Sequence, residues 1–213
     1  MSFIDEKIEE YTEEHTSKES DVLYELNRKT HLRLANPRML SGHYQGRLLS
    51  MISKFIHPKN ILEIGTYTGY SALCLAEGLQ KDGQLITLDV NYELEDFIQE
   101  YIEKAGMTDK IQLIIGNALE IIPTLSQQFD LVFIDADKAN YIHYYNLAID
   151  IIPSGGVIIA DNILWSGKVV EEVKSNDSDT KILKEFNKIV QQDERVENIL
   201  LPIRDGLMII RKK

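Results

Sequence analysis

The chain has 213 residues, 44% hydrophobic and 27% charged, proportions that suit one ordinary folded domain and leave too little for two. Its formal charge of −11 repels phosphate backbones, so nucleic acid is not the expected partner. No apolar run approaches twenty residues, and the acidic start MSFIDEKIEEYTEEHTSKES lacks the basic and apolar regions of a signal peptide. A lone cysteine, Cys74, permits no internal disulfide, so the expectation is a cytoplasmic protein without a membrane span.

Residues 1–57 predict two or three helices, broken at Asn36-Pro37-Arg38-Met39 and forming a helical cap on a sheet core at 58–213. From residue 60 the pattern alternates. Strands are predicted at Asn60–Ile64, Leu85–Asp89, Ile111–Ile115, Phe129–Asp135 and Gly156–Ala160. Helices are predicted at Tyr70–Gln80, Tyr92–Ala105, Ala118–Leu125 and Asn140–Ile152. This alternation gives βαβ units, hence a parallel sheet with helices on both faces. Beyond the loop Trp165–Asp179 comes a helix at Thr180–Gln192, then RVENILLPI and GLMIIRKK, separated by Arg-Asp-Gly. Two strands that close together form a hairpin, so the last should run antiparallel. The expectation is one α/β domain.

The stretch ILEIGTYTGYSALCLAEGL reads as strand, glycine turn and helix. Gly65 and Gly69 are spaced G-x-x-x-G, unlike the G-x-G-x-x-G of a dinucleotide site. Glu63, just before the turn, would repel a diphosphate, which argues against an NAD oxidoreductase. It suits a ligand bearing an amino group and a sulfonium. Asp89 ends the next strand, 24 residues after Gly65, where a carboxylate can accept from both hydroxyls of a ribose. The glycine pair alone need only permit a tight turn. With Glu63 and Asp89 it points to S-adenosylmethionine, and Gly116–Glu120 (GNALE) is where an adenine edge would be met.

The second constellation is LVFIDADKANY. Leu131–Ile134 reads as a strand buried on both faces, yet it runs straight into Asp135, Asp137 and Lys138. The following strand leads into Asp161 and Asn162. If the two strands are neighbours, their carboxyl ends bring Asp135, Asp161 and Asn162 together. Two carboxylates and an amide oxygen are a hard donor set that suits Mg²⁺ rather than zinc. Without a cation, carboxylates that close repel, and one must hold a proton. Either motif by itself could be a solvated acidic cap. His15, His31, His43, His57 and His143 show no metal-ligand spacing and read as surface or packing residues, while Cys74 reads as a packed core thiol.

Together EIGTYTGYS, FIDADKANY, DNILWSG and LPIRDGL resemble the cation-dependent O-methyltransferases, the family of the catechol and caffeoyl-coenzyme A enzymes, over residues 36–213. The resemblance implies a Rossmann-like class I methyltransferase fold with a seven-stranded, mostly parallel sheet, its last strand antiparallel. It implies a small catechol-type or caffeoyl-type acceptor, a divalent cation (most simply Mg²⁺) on Asp135, Asp161 and Asn162, and a homodimer. The cofactor S-adenosylmethionine would meet Met39, Ser41, Glu63, Gly65, Tyr67, Ser71, Asp89, Ala118, Asp135 and Asp137. Lys138 and Asp135 would be catalytic, with Lys138 removing or stabilising the proton of the attacking hydroxyl, and Trp165 and Ser166 would face the acceptor. A coordinated dication eases the ionisation of a phenol, whose free pKa is about 10. The chain departs from the plant pattern at Ser41 and Gln45, where threonine and glutamate stand, and at Ser166, where asparagine follows the tryptophan. The last change lies on the acceptor side and weighs against a coenzyme A ester. Two rival readings keep the same cleft: methylation of a hydroxylated uridine in transfer RNA, and nucleoside binding without catalysis.

Overall fold

A computed structural model describes residues 4–213, so the first three positions of the expected cap lie outside it. Three helices precede the sheet: α1 (Glu6–Glu14), α2 (Asp21–Arg33) and α3 (Gly42–Ile56). Ser20 caps α2 by accepting from Leu23 N, which satisfies one of the free N–H groups at the helix start. Between α2 and α3 a 3-10 turn at Pro37–Met39 realises the predicted break, since proline suits a first turn but not a helix interior.

The strands are β1 (Asn60–Ile64), β2 (Gln84–Asp89), β3 (Ile111–Ile115), β4 (Leu131–Ile134), β5 (Val157–Asp161), β6 (Val196–Leu201) and β7 (Leu207–Lys212). They form one sheet in the order β3-β2-β1-β4-β5-β7-β6. Neighbours from β3 to β5 pair in parallel, and β7 runs antiparallel to both β5 and β6. The intervening helices are α4 (Tyr70–Ala76), α5 (Glu95–Lys104), α6 (Ala118–Ile121), α7 (Tyr141–Ile151) and α8 (Ser178–Gln192).

Alternation along the strands splits the core in two, because successive side chains point to opposite faces. Ile61, Leu131, Phe133 and Ile159 pack with α2 to α5, among them Leu26, Leu49, Cys74 and Ile98. Leu62, Ile64, Val132 and Ile158 pack on the other face with Tyr145, Phe186 and the rest of α6 to α8. Both faces are covered, which explains why the central strands read as unbroken apolar runs.

The helices α4 to α7 are shorter than the periodicity predicts, whereas α8 begins two residues earlier, at Ser178. α4 stops at Ala76, two residues before Gly78, which lies so close to the backbone of Ser53 and Lys54 that no side chain would fit there. α6 gives way to a 3-10 turn at Ile122–Thr124, where Pro123 sits. The predicted helix from Tyr92 opens as a 3-10 turn at Tyr92–Leu94 before α5 begins. The hairpin is looser than expected: residues 202–206, not Arg-Asp-Gly alone, join β6 to β7. Among the described residues no helix is long and apolar enough to cross a membrane.

Candidate active site

The carboxyl ends of β1, β2, β4 and β5 open into a cavity of about 880 Å³. This is where an open α/β sheet offers its ligand site, and β1 and β4 are the neighbours at which the strand order reverses.

One wall is the turn after β1. Gly65 has φ +100, and a Cβ there would meet the backbone of Asp135, with its carbonyl carbon only 2.6 Å away. Only glycine lets the two strand ends approach this closely. Asp89 holds the turn from the next strand: its Oδ2 accepts from Thr66 N (3.0 Å) and Tyr67 N (2.7 Å), and its Oδ1 accepts from Asn91 N (2.9 Å). Tyr67 in turn donates its hydroxyl to Asn36 O (3.0 Å), which draws the loop between α2 and α3 over the cavity.

Glu63, expected from the sequence to meet the cofactor, does not reach the cavity. It is 0% exposed and lies beneath the turn rather than on the cavity wall. Thr87 Oγ1 donates to its Oε2 at 2.5 Å, while Oε1 has no hydrogen-bond partner. Burial pushes its carboxyl up to about 8, against the pull of the Ser71 and Thr87 hydroxyls and with help from Asp135 and Asp89.

The opposite wall is built by register. Ile134 of β4 pairs with Ala160 of β5, so Asp135 and Asp161 follow side by side. Asn162 then turns the chain at φ 58, a left-handed conformation that asparagine tolerates better than most residues. Lys138, 8% exposed, reaches into this group and spends all three ammonium donors. It donates to Asn162 Oδ1 (2.8 Å), Tyr141 Oη (2.5 Å) and Ala136 O (3.0 Å), with Asp135 Oδ1 at 3.5 Å. Burial raises the Asp135 carboxyl and the facing Asp161 raises it further, while Lys138 and Arg204 temper the shift. Tyr141 donates to Asp161 O at 2.9 Å and so braces the end of β5.

Of the residues singled out from sequence, Met39, Gly65, Tyr67, Asp89, Ala118, Asp135, Asp137, Lys138, Asp161, Asn162 and Trp165 all border the cavity. Ser41 and Ser71 line a small adjoining hollow together with Gly65 and Asp135. Asp137 is held at the rim by Tyr144 Oη (2.6 Å) and Asn140 Nδ2 (2.7 Å). Ser166 is outside the lining; its N–H donates to Asp205. His43 contacts Ser17 O at 2.8 Å, also away from the cavity.

Two participants escaped the sequence reading as members of the site. Arg204, in the connection between β6 and β7, lines the cavity and donates to Ser41 O. Gln45, 1% exposed, donates its amide to Asp161 Oδ2 at 2.6 Å. Arg204 is marked only by its place in LPIRDGL, and Gln45 only as a departure from the plant pattern where glutamate stands. Partnership across more than a hundred residues of chain leaves no local pattern.

Backbone strain concentrates here too. Tyr67, Asn162, Trp165, Ser166 and Arg204 all have φ between 48 and 58. Non-glycine residues hold such conformations where surrounding contacts impose them, and these gather at functional sites.

The O-methyltransferase family profile matches residues 13–213. Caffeoyl-CoA O-methyltransferase 2 of Eucalyptus globulus is 39% identical over 190 residues, covering 82% of this chain and 75% of that protein. The SAH-bound methyltransferase PaMTH1 of Podospora anserina superposes with a TM-score of 0.90 at 28% identity, covering 100% of this chain and 98% of that one. The O-methyltransferase TomG of Streptomyces achromogenes, solved in complex with SAM, gives 0.88 at 26% identity, covering 97% and 96%. With two walls at the strand ends, one gripping a glycine turn and the other carrying facing carboxylates, an amide and a lysine, this chain belongs to the O-methyltransferase family.

Proposed function

We propose that the chain transfers the methyl group of S-adenosylmethionine to one hydroxyl of a catechol-type small molecule, with Mg²⁺ held by Asp135, Asp161 and Asn162. The observation that carries this reading is the gathering of those three oxygen-bearing side chains and Lys138 on one wall of the cavity, opposite Asp89 and the glycine turn. TomG and PaMTH1, solved with SAM and SAH, support the cofactor. The plant relatives support an aromatic acceptor of the caffeoyl type.

The donor set fits a hard dication. All three side chains offer oxygen, and the facing Asp161 raises the proton affinity of Asp135, a repulsion that a dication relieves. When bound, S-adenosylmethionine supplies a methyl group on a sulfonium, and a divalent cation supplies Lewis acidity toward the acceptor's vicinal oxygens.

The chain's own residues do the rest. Asp89 keeps lone pairs free beyond its three backbone contacts and is the acceptor for a ribose diol. Met39, Tyr67 and Ala118 border the same half of the cavity, and Ser41 and Ser71 the adjoining hollow. Glu63 stands behind the turn, where its carboxyl accepts from Thr87 beneath the cavity wall. Lys138 removes or stabilises the proton of the attacking hydroxyl, with one of its three contacts exchanged for the acceptor's oxygen. Trp165 walls a flat ring. The main contribution is placement of two reactants in a single geometry. Assembly as a homodimer in the cytoplasm belongs to the same reading, supported by Met51 and Phe55, exposed one turn apart on α3, and is checked by light scattering.

The experiment is an assay of S-adenosylhomocysteine release with a series of vicinal dihydroxy aromatics, before and after thorough chelation and Mg²⁺ restoration. The expected result is activity that chelation abolishes and Mg²⁺ restores. Turnover that survives chelation would remove the cation. Turnover with no vicinal diol would remove the acceptor class.

A further inference from the structure

Asp161 is held by more than its own strand. Its Oδ1 accepts from the neighbouring Asn162 N at 2.7 Å, and its Oδ2 accepts from Gln45 Nε2 at 2.6 Å. The other end of the Gln45 amide, Oε1, lies 3.3 Å from Arg204 Nη1, which also donates to Ser41 O. An amide is the side-chain group that can face a carboxylate with N–H and a guanidinium with C=O at once, so both neighbours dictate its orientation. Arg204 is placed for this by a left-handed backbone, φ 49, which is costly for arginine. The chain thus spends strain to bring a guanidinium from the β6–β7 connection onto the first turn of α3.

We propose that Arg204 and Gln45 are positioning residues that aim Asp161 at the cation site, Arg204 acting through the Gln45 amide. The proposal rests on the reading of Asp135, Asp161 and Asn162 as cation ligands. Each Asp161 oxygen has one lone pair taken by a fixed N–H and keeps another, so the carboxylate presents its free pairs in a single orientation. Residues that orient a ligating carboxylate this way typically change cation affinity by about 10–100-fold when lost. Because Arg204 also holds Ser41 O, the same contact joins the cation wall to the loop beside the adjoining hollow.

The test is titration of the full chain with Mn²⁺ as the probe, followed by electron paramagnetic resonance of the free ion. Gln45→Met keeps length and volume but removes both polar contacts. It should bind Mn²⁺ about 10–100-fold more weakly than wild type, with far-ultraviolet circular dichroism and S-adenosylhomocysteine affinity retained. Arg204→Gly accepts the left-handed backbone without strain, so the fold is kept while the guanidinium is lost; it should weaken Mn²⁺ in the same direction. The double variant should be no weaker than Gln45→Met alone, since Arg204 works through that amide. Wild-type Mn²⁺ affinity in Gln45→Met overturns the inference, as do additive losses in the double variant. Failure of the wild-type chain to bind Mn²⁺ overturns the cation reading itself, a result distinct from both.

Discussion

Glu63 offers the sharpest test of how the cavity wall is built, because its carboxyl is fully buried and has one oxygen without a partner. In the unfolded chain it ionises near its ordinary value of 4.5; in the folded chain burial moves this to about 8. Between those pH values the unfolded state has released a proton that the native state keeps. Stability therefore falls as pH rises through this window. Two values spaced about 3.5 pH units apart, at about 1.4 kcal/mol per unit, set a ceiling of about 5 kcal/mol. Glu63→Gln removes the ionisation and retains an oxygen for the Thr87 hydroxyl. Urea unfolding curves, read by far-ultraviolet circular dichroism from pH 5 to pH 8.5, should show the two proteins close at pH 5 and the variant several kcal/mol more stable at pH 8.5. Asp135 also rises with burial, so the wild-type curve alone would mix two groups. The difference between the proteins isolates Glu63. A difference that stays constant across the window would refute the buried, proton-holding carboxyl.

Lys138→Ala should lower turnover about 10²–10⁴-fold, the usual range for a lost proton acceptor, while calorimetric affinity for S-adenosylhomocysteine stays near wild type; unchanged turnover across pH would remove Lys138 from the chemistry. Gly65→Ala forces a Cβ at φ +100 against the Asp135 backbone, so thermal unfolding should show at least about 1–3 kcal/mol of lost stability, and a wild-type melting curve would contradict the close approach of β1 and β4.

Much of this molecule is legible in one dimension because its local rules agree with its fold. The apolar runs Ile61–Leu62 and Leu131–Ile134, bounded by glycine or charge, read as strands buried on two faces, and their alternation with helices implies a parallel sheet. If the fourth and fifth strands are neighbours, Asp135 and Asp161 meet at their carboxyl ends, and the pairing of Ile134 with Ala160 bears this out. The spacing from Gly65 to Asp89 likewise carries the grip of one strand end on the next turn. Element ends are less legible: α6 gives way at Ile121 to a 3-10 turn carrying Pro123 while the apolar periodicity continues.

What tertiary structure decided is depth and partnership. The chain shows a glutamate before a glycine turn; only packing against Thr87 puts that carboxyl under the turn, away from water and off the cavity wall. The chain shows a glutamine at 45 and an arginine at 204; only the closing of the β6–β7 connection over α3 makes them hold Asp161. Periodicity and spacing report which face a residue takes and which strand end it occupies, because those depend on near neighbours along the chain. Burial and long-range hydrogen bonds depend on what the rest of the chain brings into contact, and that is settled only when the sheet closes.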